Sequence, residues 1–153
     1  MTNNERAITY TNSGEDMRKY YLFVIRKDIY QIYRDKPKAL YKTLKNLSVL
    51  TAPNLEYGIS LYHQICDTFQ VERLQTYLED KYKLEQVNGL YRYQDNYIYL
   101  KPARVIIQTN VNMPNIFIDF KCYNRLIFVV DFKSDDYFFL CDDYNKFKKL
   151  EYN

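Results

Sequence analysis

Apolar positions along this chain change their period several times, and each change marks an element. From Tyr20 the residues Tyr20, Tyr21, Leu22, Phe23, Val24 and Ile25 run without a polar break, the β-branched and aromatic signature of a strand covered on both faces. A short helix is expected over Asp28 to Arg34. Asp35-Lys36-Pro37 then breaks it, and Pro37 suits the start of a second helix because its missing N–H would be unpaired there anyway. In that second helix Leu40, Tyr41, Leu44 and Leu47 fall on one side and Lys38, Lys42 and Lys45 on the other, which reads as an apolar stripe backed by solvated lysines.

After Pro53, Asn54 is placed to cap a third helix in which Leu55, Ile59, Tyr62, Cys66 and Phe69 recur at helical spacing. A fourth helix carries Val71, Leu74 and Leu78. The period then drops to two: Tyr91, Tyr93, Tyr97 and Tyr99 flank Gln94-Asp95-Asn96 as a hairpin. Arg104 to Thr109 reads as a strand and Asn115 to Tyr123 as a helix. Leu126 to Phe132 and Tyr137 to Leu140 read as a terminal strand pair around Lys133-Ser134-Asp135-Asp136. This order implies an α/β (α+β) fold with a mixed, largely antiparallel sheet and helices packed on it, since strands and helices do not alternate strictly. The first sixteen residues, Met1 to Asp16, are polar and lack an apolar period, so a disordered extension is expected before a single domain over 17–153.

Charge narrows the classes only slightly: 22 basic against 19 acidic residues leave a net +3, too mild to require a nucleic-acid partner. The 18 tyrosines partly reflect an A/T-rich codon bias shared with Asn, Lys and Ile. Cys66, Cys122 and Cys141 are odd in number and lack CxxC spacing, so neither a disulfide framework nor a zinc site is expected. The Tyr20 to Ile25 run is far shorter than the roughly 20 residues of a bilayer span. A cytoplasmic protein without membrane contact, monomeric when free, is expected.

Catalytic constellations are sparse. Gly14, Gly58 and Gly89 fit neither common phosphate-loop spacing. His63 is the single histidine and Cys66 its nearest thiol, on the same expected helix and without an orienting acid. Asp119-Phe120-Lys121 and Asp131-Phe132-Lys133 match the short D/E-x-K element of metal-dependent nucleases; the second copy, at a strand end, makes Asp131/Lys133 an alternative enzyme site. Asp135, Asp136, Asp142 and Asp143 lack the ligand spacing of a calcium loop. Tyr91 to Tyr99 with Arg92, Lys101 and Arg104 offers a second alternative, a nucleic-acid stacking platform. The balance favours a protein that is not an enzyme and needs no cofactor.

On a helix advancing about 100° per residue, Ile29, Tyr30, Ile32 and Tyr33 sweep roughly 140–160°, wider than the stripe of about 100° that a core-facing helix needs. With Ile32 toward the sheet, Ile29, Tyr30 and Tyr33 form an outward apolar edge of the kind that anchors interfaces. The same stretch carries a likeness. Tyr20-Tyr21, Phe23, Val24-Ile25, Arg26, Asp28 and Tyr33 resemble the opening of the sporulation inhibitor of replication (SirA) family, and Asp131 to Leu140 resembles its D-F-x-S-x-x-Y-x-x-L hairpin. The likeness spans Met17 to Tyr152, with Leu55 to Pro102 similar only in pattern. It implies a bacterial DNA replication inhibitor that acts through protein-protein interaction, binding the N-terminal domain of the replication initiator DnaA. It also implies contacts from the first helix at Ile29, Tyr30 and Tyr33. The family pattern there is an aromatic, a small residue and a tyrosine, and of the three only Tyr33 is unchanged.

Overall fold

The computed structural model describes residues 17–48, 55–87 and 90–142, with side chains of the third helix described from residue 58. The Met1 to Asp16 extension, the Asn54 cap, Asp143 and the tail beyond it lie outside the described residues. The apolar run becomes strand β1 (Arg18–Ile25), followed by α1 (Lys27–Tyr33), α2 (Pro37–Ser48) and α3 (Leu55–Ile65). A two-residue strand β2 (Cys66–Asp67), α4 (Val71–Tyr82), β3 (Glu85–Val87), β4 (Leu90–Tyr93) and β5 (Asn96–Leu100) come next. The chain continues through β6 (Val105–Thr109), α5 (Ile116–Tyr123), β7 (Ile127–Asp131) and β8 (Asp136–Phe139).

β1 is the hub of the sheet. The strand order is β3-β4-β5-β6-β1-β7-β8, and every ladder among the described residues is antiparallel. One edge of β1 pairs with β7 over Tyr21–Val24. Its other edge pairs with β6 over Arg18–Leu22, and where β6 ends β2 takes over at Val24 and Ile25.

Alternation along β1 sends Tyr20, Leu22 and Val24 to one face and Phe23 and Ile25 to the other. The first face packs against Leu74 and Leu78 of α4 and Ile116, Phe117 and Phe120 of α5. The second packs against Leu40, Tyr41 and Leu44 of α2, Ile65 of α3 and the inner side of α1. Helices therefore cover both faces, which is why β1 is apolar at every position from Tyr20 to Ile25 and not at alternate ones. Each of the larger side chains fully buried there contributes about 1.5–3 kcal/mol relative to exposure.

One expectation is corrected and one strand is added. The third helix stops at Ile65, and Cys66 pairs in β2 with Ile25 while Phe69 sits in the opposite-face core. The Arg26 N–H donates to the Ile65 carbonyl at 2.9 Å, so the end of β1 captures the chain before the helical spacing runs out. β3, with one half-buried residue in Glu85-Gln86-Val87, carries too little apolar alternation to be read from sequence and forms because β4 offers it an edge.

Acids tie the layers together. Buried Asp119 on α5 accepts from the Tyr77 hydroxyl at 2.8 Å, from Lys81 Nζ at 2.6 Å and from the Tyr82 hydroxyl, all on α4. Arg18 at the start of β1 donates to Asp131 at 3.0 Å and to Asp136 at 2.9 Å, clamping the β7–β8 hairpin. At the tip of that hairpin Asp135 accepts from the Tyr41 hydroxyl and, at 2.9 Å, from Lys45, both on α2. Asp119→Ala would remove the acceptor that three partly exposed donors share at the α4–α5 interface and is expected to cost about 2 kcal/mol in urea unfolding. A loss below about 1 kcal/mol would show that Asp119 does not hold the two helices together.

Candidate docking site

α1 leaves β1 through Arg26, whose extended backbone (φ −62°, ψ 145°) precedes the first helical residue. The helix is seven residues long and none of them is fully buried. Tyr30 N–H donates to the Arg26 carbonyl at 2.8 Å and Arg34 N–H to the Tyr30 carbonyl at 2.8 Å, after which Pro37 begins α2.

The orientation of α1 reverses the expected one. Ile29, Tyr30 and Tyr33 are half-buried and pack on the cluster built around Phe23, Ile25, Phe128 and Phe139, while Ile32 is 61% exposed. Turning Ile29 and two tyrosine rings inward buries far more apolar area than turning Ile32 inward. The Tyr30 ring meets Phe139 edge-on at 4.9 Å between centroids. Its hydroxyl donates to Asp142 at 2.7 Å, and burial with that bond pushes its pKa up to about 12. The three residues still reach the surface in part, so α1 presents a mixed edge in which Ile32 is the most exposed apolar side chain.

The other candidate sites resolve into structural roles. Tyr91 stands across from Ile98 and Arg92 from Tyr97, so Tyr91 and Tyr93 share one face and Tyr97 and Tyr99 the other. The first pair joins the large core and the second a small cluster with Leu90 and Ile106. No four-tyrosine platform exists, and Arg92 pairs with Glu85 at 3.0 Å. Asp131 is buried, accepts from Arg18 and also from the backbone N–H groups of Lys133 and Ser134 at 3.1 and 3.2 Å. It shapes a turn. Cys66 is buried and burial pushes its thiol up to about 12, far from nucleophilic thiolate character. Among the described residues no group of three or more His, Cys, Asp or Glu is placed to hold a metal ion, and no helix is long and apolar enough to cross a membrane.

A groove of about 520 Å³ runs beside α1. Lys27, Tyr30, Gln31 and Arg34 form one wall; Tyr123 at the end of α5 and Asn124, Arg125 and Leu126 of the turn to β7 form the other; Cys141 and Asp142 complete the lining. Lys27, Tyr30, Gln31 and Arg34 stand at i, i+3, i+4 and i+7 and so share one side of the helix, a polar stripe that the apolar pattern did not single out. The opposite wall comes from the chain nearly a hundred positions later and had no sequence signal. Comparison with protein-family models and with curated proteins finds no match to this chain.

The Tyr30–Asp142 bond has a pH signature. A phenol whose pKa is raised on folding contributes stability that is complete below about pH 10 and is lost as pH rises toward about 12. The stability difference between the parent chain and Tyr30→Phe is therefore expected to shrink across that window in alkaline unfolding. Parallel curves would show that this hydroxyl is not held by Asp142.

Proposed function

We propose that this chain is a non-catalytic cytoplasmic docking protein whose contact helix is α1, and that its partner is the N-terminal domain of DnaA, as the resemblance to the SirA family implies. The supporting observation is Ile32, 61% exposed on a seven-residue helix that buries none of its residues completely. A large β-branched side chain held outward beside half-exposed Ile29 and Tyr33 is the kind of anchor that fills a pocket on another protein. The helix is a rigid platform for it, because the Tyr30 and Tyr33 rings are packed on the sheet below.

Inhibition then follows from occlusion. Covering the DnaA surface used for assembly or helicase loading requires no covalent step and no cofactor. The acids that sequence patterning offered as catalytic are engaged elsewhere, with Asp131 on Arg18 and Asp119 on α4.

Calorimetric titration with the N-terminal domain of the same organism's DnaA tests this. Ile32→Glu, at a position that supports no packing, is expected to weaken binding about ten-fold or more without lowering the melting temperature. Absence of binding at tens of micromolar, or binding untouched by Ile32→Glu combined with Tyr33→Ala, would overturn the assignment.

A further inference from the structure

The geometry points to a second contact on the same helix: the groove beside α1 takes an acidic peptide segment of the docked protein. This rests on the docking reading and adds the chemistry of what is docked.

Charge carries the inference. Lys27, Arg34 and Arg125 line the groove against one carboxylate, Asp142, and that carboxylate already accepts from the Tyr30 hydroxyl. Among the described residues neither Lys27 nor Arg125 has an ion-pair partner. Arg34 lies over the Tyr30 ring at 5.6 Å, a contact that orients the guanidinium while leaving its edge free for a carboxylate. The far flank of α1 has the opposite character: Asp28, one turn before Ile32, carries a negative charge there, and it is paired with Arg26 at 3.4 Å. An acidic segment is therefore drawn to one side of the helix only.

The neutral lining favours a peptide over a bare anion. Gln31 on one wall offers a side-chain donor and acceptor, and Asn124 on the other, whose Oδ1 accepts from the Leu126 N–H at 2.7 Å, offers its amide N–H, groups that a peptide backbone can pair with. Tyr123 and Leu126 supply apolar surface for an intervening side chain. The volume of about 520 Å³ lies within the range of built binding clefts. A phosphate would use the cations alone and leave the amide and apolar lining unused.

The probe is a short fluorescein-labelled peptide of alternating Glu and Asp with one central Leu, beside its Gln/Asn counterpart, read by anisotropy at low salt. The acidic peptide is expected to bind and the neutral one to bind at least about ten-fold more weakly. Arg125→Glu with Lys27→Glu, both at exposed positions, should abolish the difference, whereas Ile32→Glu should leave it intact. In a Cys122→Ser background, bound peptide should protect Cys141 from a maleimide. Equal binding of the two peptides, indifference to the charge reversals, or stronger competition by inorganic pyrophosphate than by unlabelled peptide would each overturn the proposal. The DnaA domain supplies a separate arm. Peptide binding without domain binding supports the groove and removes only the named partner, while domain binding unaffected by the charge reversals overturns the groove and leaves the partner standing.

Discussion

Everything in this structure depends on one strand being enclosed from four sides. β1 has β6 and β2 along one edge, β7 along the other, and helices above and below. Such a strand has no polar side to spare, so its sequence must be apolar throughout, and its ends are the first places where the chain escapes the core. At one end Arg18 anchors the hairpin that closes the sheet. At the other, Arg26 is fixed by the Ile65 carbonyl and turns the chain at once into α1. The helix has no slack in which to choose its rotation freely.

That constraint explains why α1 is both rigid and incompletely covered. Seven residues make about two turns, enough for one buried flank. Ile29, Tyr30 and Tyr33 occupy that flank because Phe139 and Asp142, arriving from the far end of the chain, complete a seat for the Tyr30 ring and its hydroxyl. Ile32 and the Lys27-Gln31-Arg34 stripe are left on the two open sides. The same packing that orders the helix therefore defines both of its exposed surfaces.

Much of the architecture was legible in the residues, and the failures share a physical origin. Continuous apolarity marked β1, and the amphipathic stripes of α2 and α4 marked their buried sides, Leu40, Tyr41 and Leu44 in one and Leu74 and Leu78 in the other. Periodicity measures the width of an apolar arc but not where the core lies within it. Ile29-Tyr30-Tyr33 and Ile32 were therefore both admissible inner faces until tertiary contacts chose. The tyrosine hairpin forms as read, but its shared tyrosine face failed through parity. A three-residue loop at Gln94-Asp95-Asn96 would have set Tyr93 opposite Tyr97, but the turn uses only Gln94 and Asp95, with Gln94 at φ 52°, and pairs Tyr93 with Asn96. One residue fewer in a turn moves Tyr97 and Tyr99 to the other side of the sheet. Asp131 looked chemical because its partner, Arg18, lies 113 positions away.

The acids account for why a nearly balanced chain has a cationic groove. Asp119, Asp131, Asp135 and Asp136 are each engaged by a basic side chain that joins two elements, the first two in the interior and the last two at the surface. Lys27 and Arg125 are not matched in this way, and they face each other across the groove. At physiological ionic strength charges beyond about 8 Å are largely screened, so an approaching segment senses this local arrangement and not the net +3. The mild overall balance, which seemed to say little about a partner, is compatible with a local excess of basic side chains beside α1. That patch exists only because α5 and β7 bring Arg125 to the helix that β1 projects.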